Sequence, residues 1–358
     1  MKRRSFTMLL LITLCLALIS PTTTTAQAAR RSQLATKQGL LIDLGRHPLS
    51  ENSLKRVISA AADQHFTYVV LHLSDNEHLS FQSAYLGNRA SKTVLSPRAL
   101  KRLVTFANQR QLQLVPDVDL PSHAGAILKQ LKRKHGKTYR AVKLDRETLD
   151  YTSPKAITVA KKIYRELNAS FKNQPYRDLI IGADEVPGTD GDYRYLTRFV
   201  NQLNRNQNKR GFTTVVWNDS ILKKQLPKLD ANIVVNYWSQ SGNHSERAEL
   251  VNRRSKRASV PDLVNRKRQV INCNSYATYY QLQYIGNAAY DTYFLNYLRD
   301  DYTPTMFNEI DRTNANHNRT LEPSVTTRGT LISLWGHDSH QTSTTAIVTF
   351  IHRLSVPK

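Results

Sequence analysis

Two adjacent carboxylates, Asp184 and Glu185, close the apolar run Leu179-Ile180-Ile181-Gly182-Ala183. A buried strand reads as about four to eight apolar residues, and such a run has no packing use for two acids at its end. Neighbouring like charges resist joint ionisation, so their proton affinities are pushed apart and one can hold a proton near neutral pH. One protonated and one ionised carboxyl make an acid–base pair. The same two residues also fit an N-cap acid followed by a first-turn Glu, common where a helix follows a strand. The segment alone leaves both readings open.

The elements that would position this pair repeat along the chain. Eight apolar segments, at 39–44, 68–73, 112–118, 179–182, 214–217, 233–238, 270–274 and 330–335, are mostly separated by amphipathic stretches of helix length. Between the first two, Leu54, Val57, Ile58 and Ala61 share one helical face, with Ser50 as N-cap and Ser53 three residues on. Alternation of strand and helix implies a parallel sheet buried on both faces. Eight such units in about 300 residues predict an α/β fold, a single (β/α)8 TIM barrel over 39–358 with no second domain. The span 308–319 reads as a loop, and 291–304 as a Tyr-rich helix or excursion before the last strand.

Nearly every apolar segment ends in residues that a core would reject. They are Arg46 and His47, Ser74 and Asp75, Asp117 and Asp119, Asp184 and Glu185, Asn218 and Asp219, Tyr237 and Trp238, Asn274 to Tyr276, and Trp335 with His337 and Asp338. In barrel enzymes the active site is built by residues at the C-terminal ends of several strands. Trp217, Trp238 and Trp335, all the tryptophans of the chain, stand at strand ends too. Three indoles at one rim suit a flat, apolar-faced ligand such as a sugar ring.

Bulk properties narrow the class. Lys2, Arg3 and Arg4 precede an apolar stretch from Met8 to Ile19 and a small-residue site at Ala26 and Ala28, the pattern of a secretory signal peptide over 1–28. The stretch is short for a membrane span, and no later segment has about 18 uncharged apolar residues; retention as an anchor is the alternative to cleavage. Residues 29–38 are polar and read as a disordered linker. The expectation is a secreted or cell-surface protein with no membrane span after signal removal. Only Cys273 follows the signal segment, so the remaining chain has no internal disulfide to draw on and must be stabilised by its core. No Cys/His cluster has zinc spacing and no Gly-rich phosphate loop is present, so neither metal nor other cofactor is expected.

The net charge is +23, and losing the three basic residues of the leader takes Lys+Arg from 51 to 48 against 28 acids, leaving +20. The excess concentrates at 129–140, 205–210 and 247–268. Solvated helix faces account for such runs; attraction to an anionic cell-wall polymer is the functional alternative. No recognised nucleic-acid module surrounds them, which argues against a dedicated nucleic-acid partner.

Several segments resemble the signatures of family 20 glycoside hydrolases, the β-N-acetylhexosaminidases. They are GLLIDLGRH at 39–47, LHLSD at 71–75, VPDVDLPSH at 115–123, IGADE at 181–185 and LWG at 334–336, in family order. WND at 217–219, YWS at 237–239, SVPDL at 259–263 and NCNSY at 272–276 are similar to segments of single-domain, biofilm-degrading members. The resemblance implies a retaining mechanism in which the substrate's own acetamido group attacks, an exception to the usual two-carboxylate scheme. It makes Glu185 the general acid and then base, and Asp184 the residue that orients the acetamido group and faces the oxazolinium charge. It implies His123 hydrogen-bonded to Glu185 with Asp119 fixing the imidazole, Arg46 on the sugar's 3- and 4-hydroxyls, and Trp217, Trp238 and Trp335 around the acetamido pocket. Asp75 is counted with the sugar-binding residues.

For the tyrosine on the acetamido carbonyl, Tyr279 stands before Tyr276; Ala277 and Thr278 depart from the family pattern and leave the register open. His337 occupies the place of a Glu that binds the 4- and 6-hydroxyls, with Asp338 next along as a substitute. Gly188 lies where single-domain members have an aromatic. The implied partner is an N-acetylglucosamine-containing oligo- or polysaccharide, including the β-1,6-linked polymer of biofilms or cell surfaces. The departures also admit a second reading, an impaired barrel that binds carbohydrate or acts in adhesion.

Overall fold

The computed structural model describes residues 37–242, 246–309, 320–322, 325 and 327–355. Strands β1 (Lys37–Asp43), β2 (Tyr68–His72), β3 (Gln113–Leu120), β4 (Asp178–Gly182), β5 (Thr213–Trp217), β6 (Val234–Tyr237) and β7 (Gln269–Asn272) pair in parallel in chain order. They are followed by β8 (Tyr279–Gln281), an antiparallel pair β9 (Met306–Phe307) and β10 (Thr320–Leu321), and β11 (Gly329–Trp335). β11 pairs in parallel with both β7 and β1, which closes the sheet into an eight-stave barrel. All eight segments read as strands are strands. β1 opens at Lys37, so Lys37 and Gln38, read as the end of a polar linker, are buried strand residues; Lys37 forms a buried ion pair with Asp178. The leader at 1–28, residues 29–36 and most of 308–319 lie outside the described residues. No helix of the described residues is long and apolar enough to cross a membrane.

The helices are α1 (Glu51–Asp63), α2 (Pro97–Asn108), α3 (Gly125–Lys134), α4 (Gly136–Val142), α5 (Pro154–Phe171), α6 (Tyr193–Asn208), α7 (Arg247–Lys256), α8 (Val260–Val264), α9 (Ala288–Asn296) and α10 (Thr344–Ile351). Their starts follow local chemistry. Ser50, Ser96 and Ser343 accept from the backbone N–H three residues on, Pro97 and Pro154 occupy first-turn positions, and Ser259 with Asp262 forms a capping box. Leu54, Val57, Ile58 and Ala61 of α1 are buried, as their spacing predicts. The larger apolar core lies between staves and helices; a smaller one fills the barrel with Leu41, Val70, Val115, Ile180, Val215, Ile271 and Leu331. Each such Leu, Ile or Val contributes roughly 1.5–3 kcal/mol by leaving water.

The seventh stave is made of two pieces. β7 meets β11 only at Thr330↔Asn272; the chain then bulges outward and returns as β8, which meets the upper half of β11 at Ser333↔Tyr279 and Trp335↔Gln281. The hydrogen bonds from the Ala277 and Thr278 N–H groups to the Asn274 carbonyl hold the bulge. The consequence is positional: Tyr279 re-enters the wall at the level of Trp335, at the mouth.

Candidate active site

Strand register assembles the floor. Asp43 stands opposite His72, and His72 opposite Asp117, so three polar side chains from three staves share one row. His72 is buried and both its nitrogens are taken, Nδ1 by Asp117 Oδ2 at 2.9 Å and Nε2 by Asp75 Oδ2 at 3.0 Å. Burial alone would lower the imidazole's pKa, but the Asp117 charge and these hydrogen bonds drive it well above its usual value. His72 is therefore an imidazolium tying two carboxylates together.

Asp75 is the hub. Its Oδ2 also meets Arg46 Nη2 at 2.6 Å and faces His123 Nδ1 at 3.5 Å. Burial opposes ionisation of Asp75, yet His123 and His72 hold its carboxyl far below the usual range. Arg46 is pinned further by Asp43 Oδ2 at 2.8 Å and lies over the Trp335 ring, 5.6 Å from its centroid. The sequence expectation gave Asp119 the task of fixing His123. The structure puts Asp75 against Nδ1 instead, because the loop after β3 turns His123 toward the end of β2. Asp119 is buried beside Asp117 and Asp184, and burial followed by those two charges pushes its carboxyl well up.

The acid pair is aimed by backbone strain. Gly182, Ala183 and Glu185 all have positive φ, at 84°, 71° and 45°. A Cβ on Gly182 would lie 2.6 Å from Asp119 Oδ1, so glycine is required there. The turn is held by the Ala183 N–H on the Leu120 carbonyl at 3.1 Å, the Ser122 hydroxyl on the Asp184 carbonyl, and the Glu185 N–H on Asp219 Oδ2 at 2.9 Å. Since α6 starts only at Tyr193, Asp184 and Glu185 do not cap a helix.

Between the two acids stands His123, with Nε2 3.8 Å from Asp184 Oδ2 and 3.5 Å from Glu185 Oε2. Burial opposes the charge on His123, but Asp184 first and then Asp75 and Glu185 raise its pKa well above the usual value. Burial pushes the Asp184 carboxyl up to about 7, against the pull of His123. Asp119, His123 and Asp184 come within 4.8 Å of one another, a grouping no sequence spacing announces.

Aromatic rings wall the other side. Trp217 and Trp335 lie 6.3 Å apart, Tyr279 meets Trp335 edge-on at 5.4 Å, and Trp238 stacks on Tyr279 at 6.3 Å with planes 14° apart. The Trp238 indole N–H donates to Asp219 Oδ1 at 3.3 Å, and Arg257 approaches the other oxygen at 3.3 Å. The indole nitrogens of Trp217 and Trp335 and Asp184 Oδ1 are buried without a hydrogen-bond partner in the protein. Buried polar groups of this kind are satisfied by ligand or water. On the outer side of Glu185 a cleft of about 540 Å³ opens, lined by Asn76, Ser122, His123, Arg146 and Pro187 among others.

Other predicted residues stand apart from this core. Tyr276 is 39 % exposed on the bulge, with its hydroxyl 3.4 Å from that of Tyr293, so Tyr279 alone fills the inner position. His337 sits at the rim with its ring partly covered, hydrogen-bonded to Gln281 at 3.1 Å; that partial burial and then Arg46 lower its pKa, so it is neutral at pH 7. Asp338 is exposed with φ 46°. Gly188 has no room for an aromatic: its Cβ would fall 2.2 Å from the Tyr151 hydroxyl, itself bonded to the Pro187 carbonyl.

Fold and site together place the chain among (β/α)8 barrels built as glycoside hydrolases, with paired acids and an aromatic pocket at the strand C-termini. It belongs to glycosyl hydrolase family 20: the family's catalytic-domain profile matches residues 38–350. A probable β-hexosaminidase of Arthroderma benhamiae is 20 % identical over 246 residues, covering 56 % of this chain and 38 % of its own length. The β-hexosaminidase subunit β of Sus scrofa is 28 % identical over 158 residues, covering 42 % of this chain and 29 % of its own length. The chain thus spans well under half the length of these curated relatives. Among solved structures, dispersin B superposes with a TM-score of 0.81 at 24 % identity, covering 90 % of this chain and 98 % of its own. A pneumococcal exo-β-D-N-acetylglucosaminidase module superposes with a TM-score of 0.69 at 17 % identity, covering 91 % and 83 %. Both likenesses are of fold.

Proposed function

We propose that this protein is a β-N-acetylhexosaminidase that hydrolyses terminal β-linked N-acetylglucosamine by a retaining, substrate-assisted mechanism. The observation that supports this reading is the juxtaposition of Asp184, Glu185 and His123 across the mouth from Tyr279 and the three tryptophans. Glu185, partly open to the outer cleft, protonates the departing glycosidic oxygen. The sugar's acetamido oxygen closes onto C1, and Asp184, pointing into the pocket, accepts from the acetamido N–H and opposes the oxazolinium charge. That charge exists only at and beyond the transition state, so a fixed carboxylate stabilises the transition state more than the ground state. Glu185, now ionised, then draws a proton from water as the ring reopens. His123 serves both carboxylates through one nitrogen, and the Asp75–His72–Asp117 chain holds it in place. Arg46, fixed by Asp43 and Asp75, is the donor to the sugar's hydroxyls. Tyr279 is the hydroxyl for the acetamido carbonyl.

We further propose that the chain is exported and meets its substrate outside the cell, where the β-1,6-linked N-acetylglucosamine polymer of biofilm or cell surface is the fitting glycan. The basic leader pattern and the resemblance to single-domain members support this. Glu185→Gln tests the assignment. With a chromogenic β-N-acetylglucosaminide, kcat is expected to fall on the order of 10²- to 10⁴-fold, the scale of general acid–base catalysis. Equal rates for the two proteins would remove Glu185 from the mechanism.

A further inference from the structure

The tyrosines around α9 form a surface that the catalytic pocket does not use. Among the described residues, six large hydrophobic side chains are exposed, and four of them are Tyr276, Tyr284, Tyr290 and Tyr293. Tyr290 and Tyr293 are three residues apart in α9 and so share one face of the helix; they are 52 % and 58 % exposed. Tyr284 stacks on Tyr290 with centroids 4.5 Å apart and planes 13° apart, and Tyr293 stacks on Tyr297 at 6.1 Å and 22°. Tyr276 joins the second stack, edge-on to Tyr297 at 6.0 Å. The rings are thus organised in pairs.

The charge on this face is unusual for the chain. From 281 to 298 the one residue with a charged side chain is Asp291, which is buried and bonded to the Tyr280 hydroxyl and Arg353. Arg353 pairs with Asp291 and Arg299 with Asp300, so in a protein of net charge +23 the charges flanking the rings are balanced, a poor fit for a polyanion. Exposed phenol rings suit a ligand that offers apolar C–H faces and hydroxyls together, which is a sugar chain. The face follows the pocket wall along the chain: Gln281, beside Trp335 in the sheet and bonded to His337, lies three residues before Tyr284.

We propose that Tyr276, Tyr284, Tyr290 and Tyr293 form a second, non-catalytic binding surface for an uncharged β-linked polysaccharide. It holds the enzyme on the polymer whose ends the pocket trims; the sugar class rests on the function proposed above. The test compares Glu185→Gln with Glu185→Gln carrying Tyr290→Ala and Tyr293→Ala, for retention on insoluble chitin and on β-1,6-linked poly-N-acetylglucosamine. Loss of two stacking rings is expected to weaken retention by roughly tenfold or more, while Tyr290→Phe with Tyr293→Phe retains most of it. In the active background, the Tyr→Ala pair is expected to leave cleavage of a small chromogenic substrate unchanged and to slow release of sugar from the solid polymer.

Equal retention with and without the rings, or a parent that binds neither polymer, would overturn the proposal. So would a fall in melting temperature together with slower cleavage of the small substrate, which would make the rings structural. Sedimentation as a dimer for the parent and a monomer for the Tyr→Ala pair would also overturn it, by assigning the face to a second copy of the chain. Ring-dependent retention in a protein that never cleaves the small substrate would sink the catalytic reading and leave this one standing.

Discussion

Asp184→Asn is expected to make the protein more stable at pH 8 while removing most of its activity. The Asp184 carboxyl is pushed up to about 7 by burial, from an ordinary value near 4. Below about pH 4 folded and unfolded chains both carry the proton, and the group is neutral in the balance. As pH rises toward 7 the unfolded chain releases the proton and the folded chain keeps it, so stability falls with pH. Above 7 the buried charge costs the fold roughly 2–4 kcal/mol, softened by His123. Asparagine fills the same space without that charge. The variant's melting temperature should therefore exceed the parent's by a few degrees at pH 8, with the gain fading toward pH 4.

Activity moves the other way. In the proposed mechanism the carboxylate must be ionised to face the oxazolinium, so the parent's kcat/KM should decline as pH falls through about 7. The amide should lose on the order of 10²-fold or more in kcat. Thermal melts at both pH values and a kcat/KM profile check this. A variant less stable than the parent at pH 8, or a gain that does not change with pH, would contradict the account.

Asp75→Ala is the second change of large effect. One buried oxygen of Asp75 meets Arg46 at 2.6 Å, His72 at 3.0 Å and His123 at 3.5 Å. Its removal leaves two buried cations, Arg46 and the His72 imidazolium, short of a counter-charge. Breaking a buried pair from one side costs about 3–5 kcal/mol. The surface pair of Arg102 with Glu51, at the same 2.6 Å but with the arginine side chain 57 % exposed, is worth about 0–1 kcal/mol. Burial, not distance, decides the difference. Denaturant unfolding should show Asp75→Ala losing several kcal/mol and Glu51→Ala losing under 1 kcal/mol. A loss under 1 kcal/mol at Asp75 would mean that the hub is not charged as described.

Much of the fold was legible in the sequence because buried parallel strands are short apolar runs, and each of the eight recurs as a stave. The acid pair was legible for the complementary reason: an apolar run that ends in two acids conflicts with packing. What the sequence hid depends on closure. Asp43, His72 and Asp117 form one row, yet 29 and 45 residues separate neighbours, and only strand register aligns them. The family resemblance assigned Asp119 to His123, whereas Asp75 arrives from the adjacent stave.

Asp219 and Arg257, which brace the Glu185 backbone and Trp238, carried no signal beyond a polar strand end and a basic run. The tyrosine register stayed open because the chain breaks the seventh stave between Asn272 and Tyr279, a detour that periodicity cannot predict. Gly188 looked like a missing sugar contact; Tyr151, 37 residues upstream, occupies the space.

The central claim is that the substrate's own acetamido group is the nucleophile and Asp184 its partner. The direct test is the ratio of hydrolysis rates for a β-N-acetylglucosaminide and a β-glucoside that carry the same chromogenic phenol. Intramolecular attack is worth many orders of magnitude in effective concentration, so the glucoside should be cleaved at least about 10³-fold more slowly. Comparable rates for the two glycosides would place the nucleophile on the protein or in water, and would contradict the role given to Asp184.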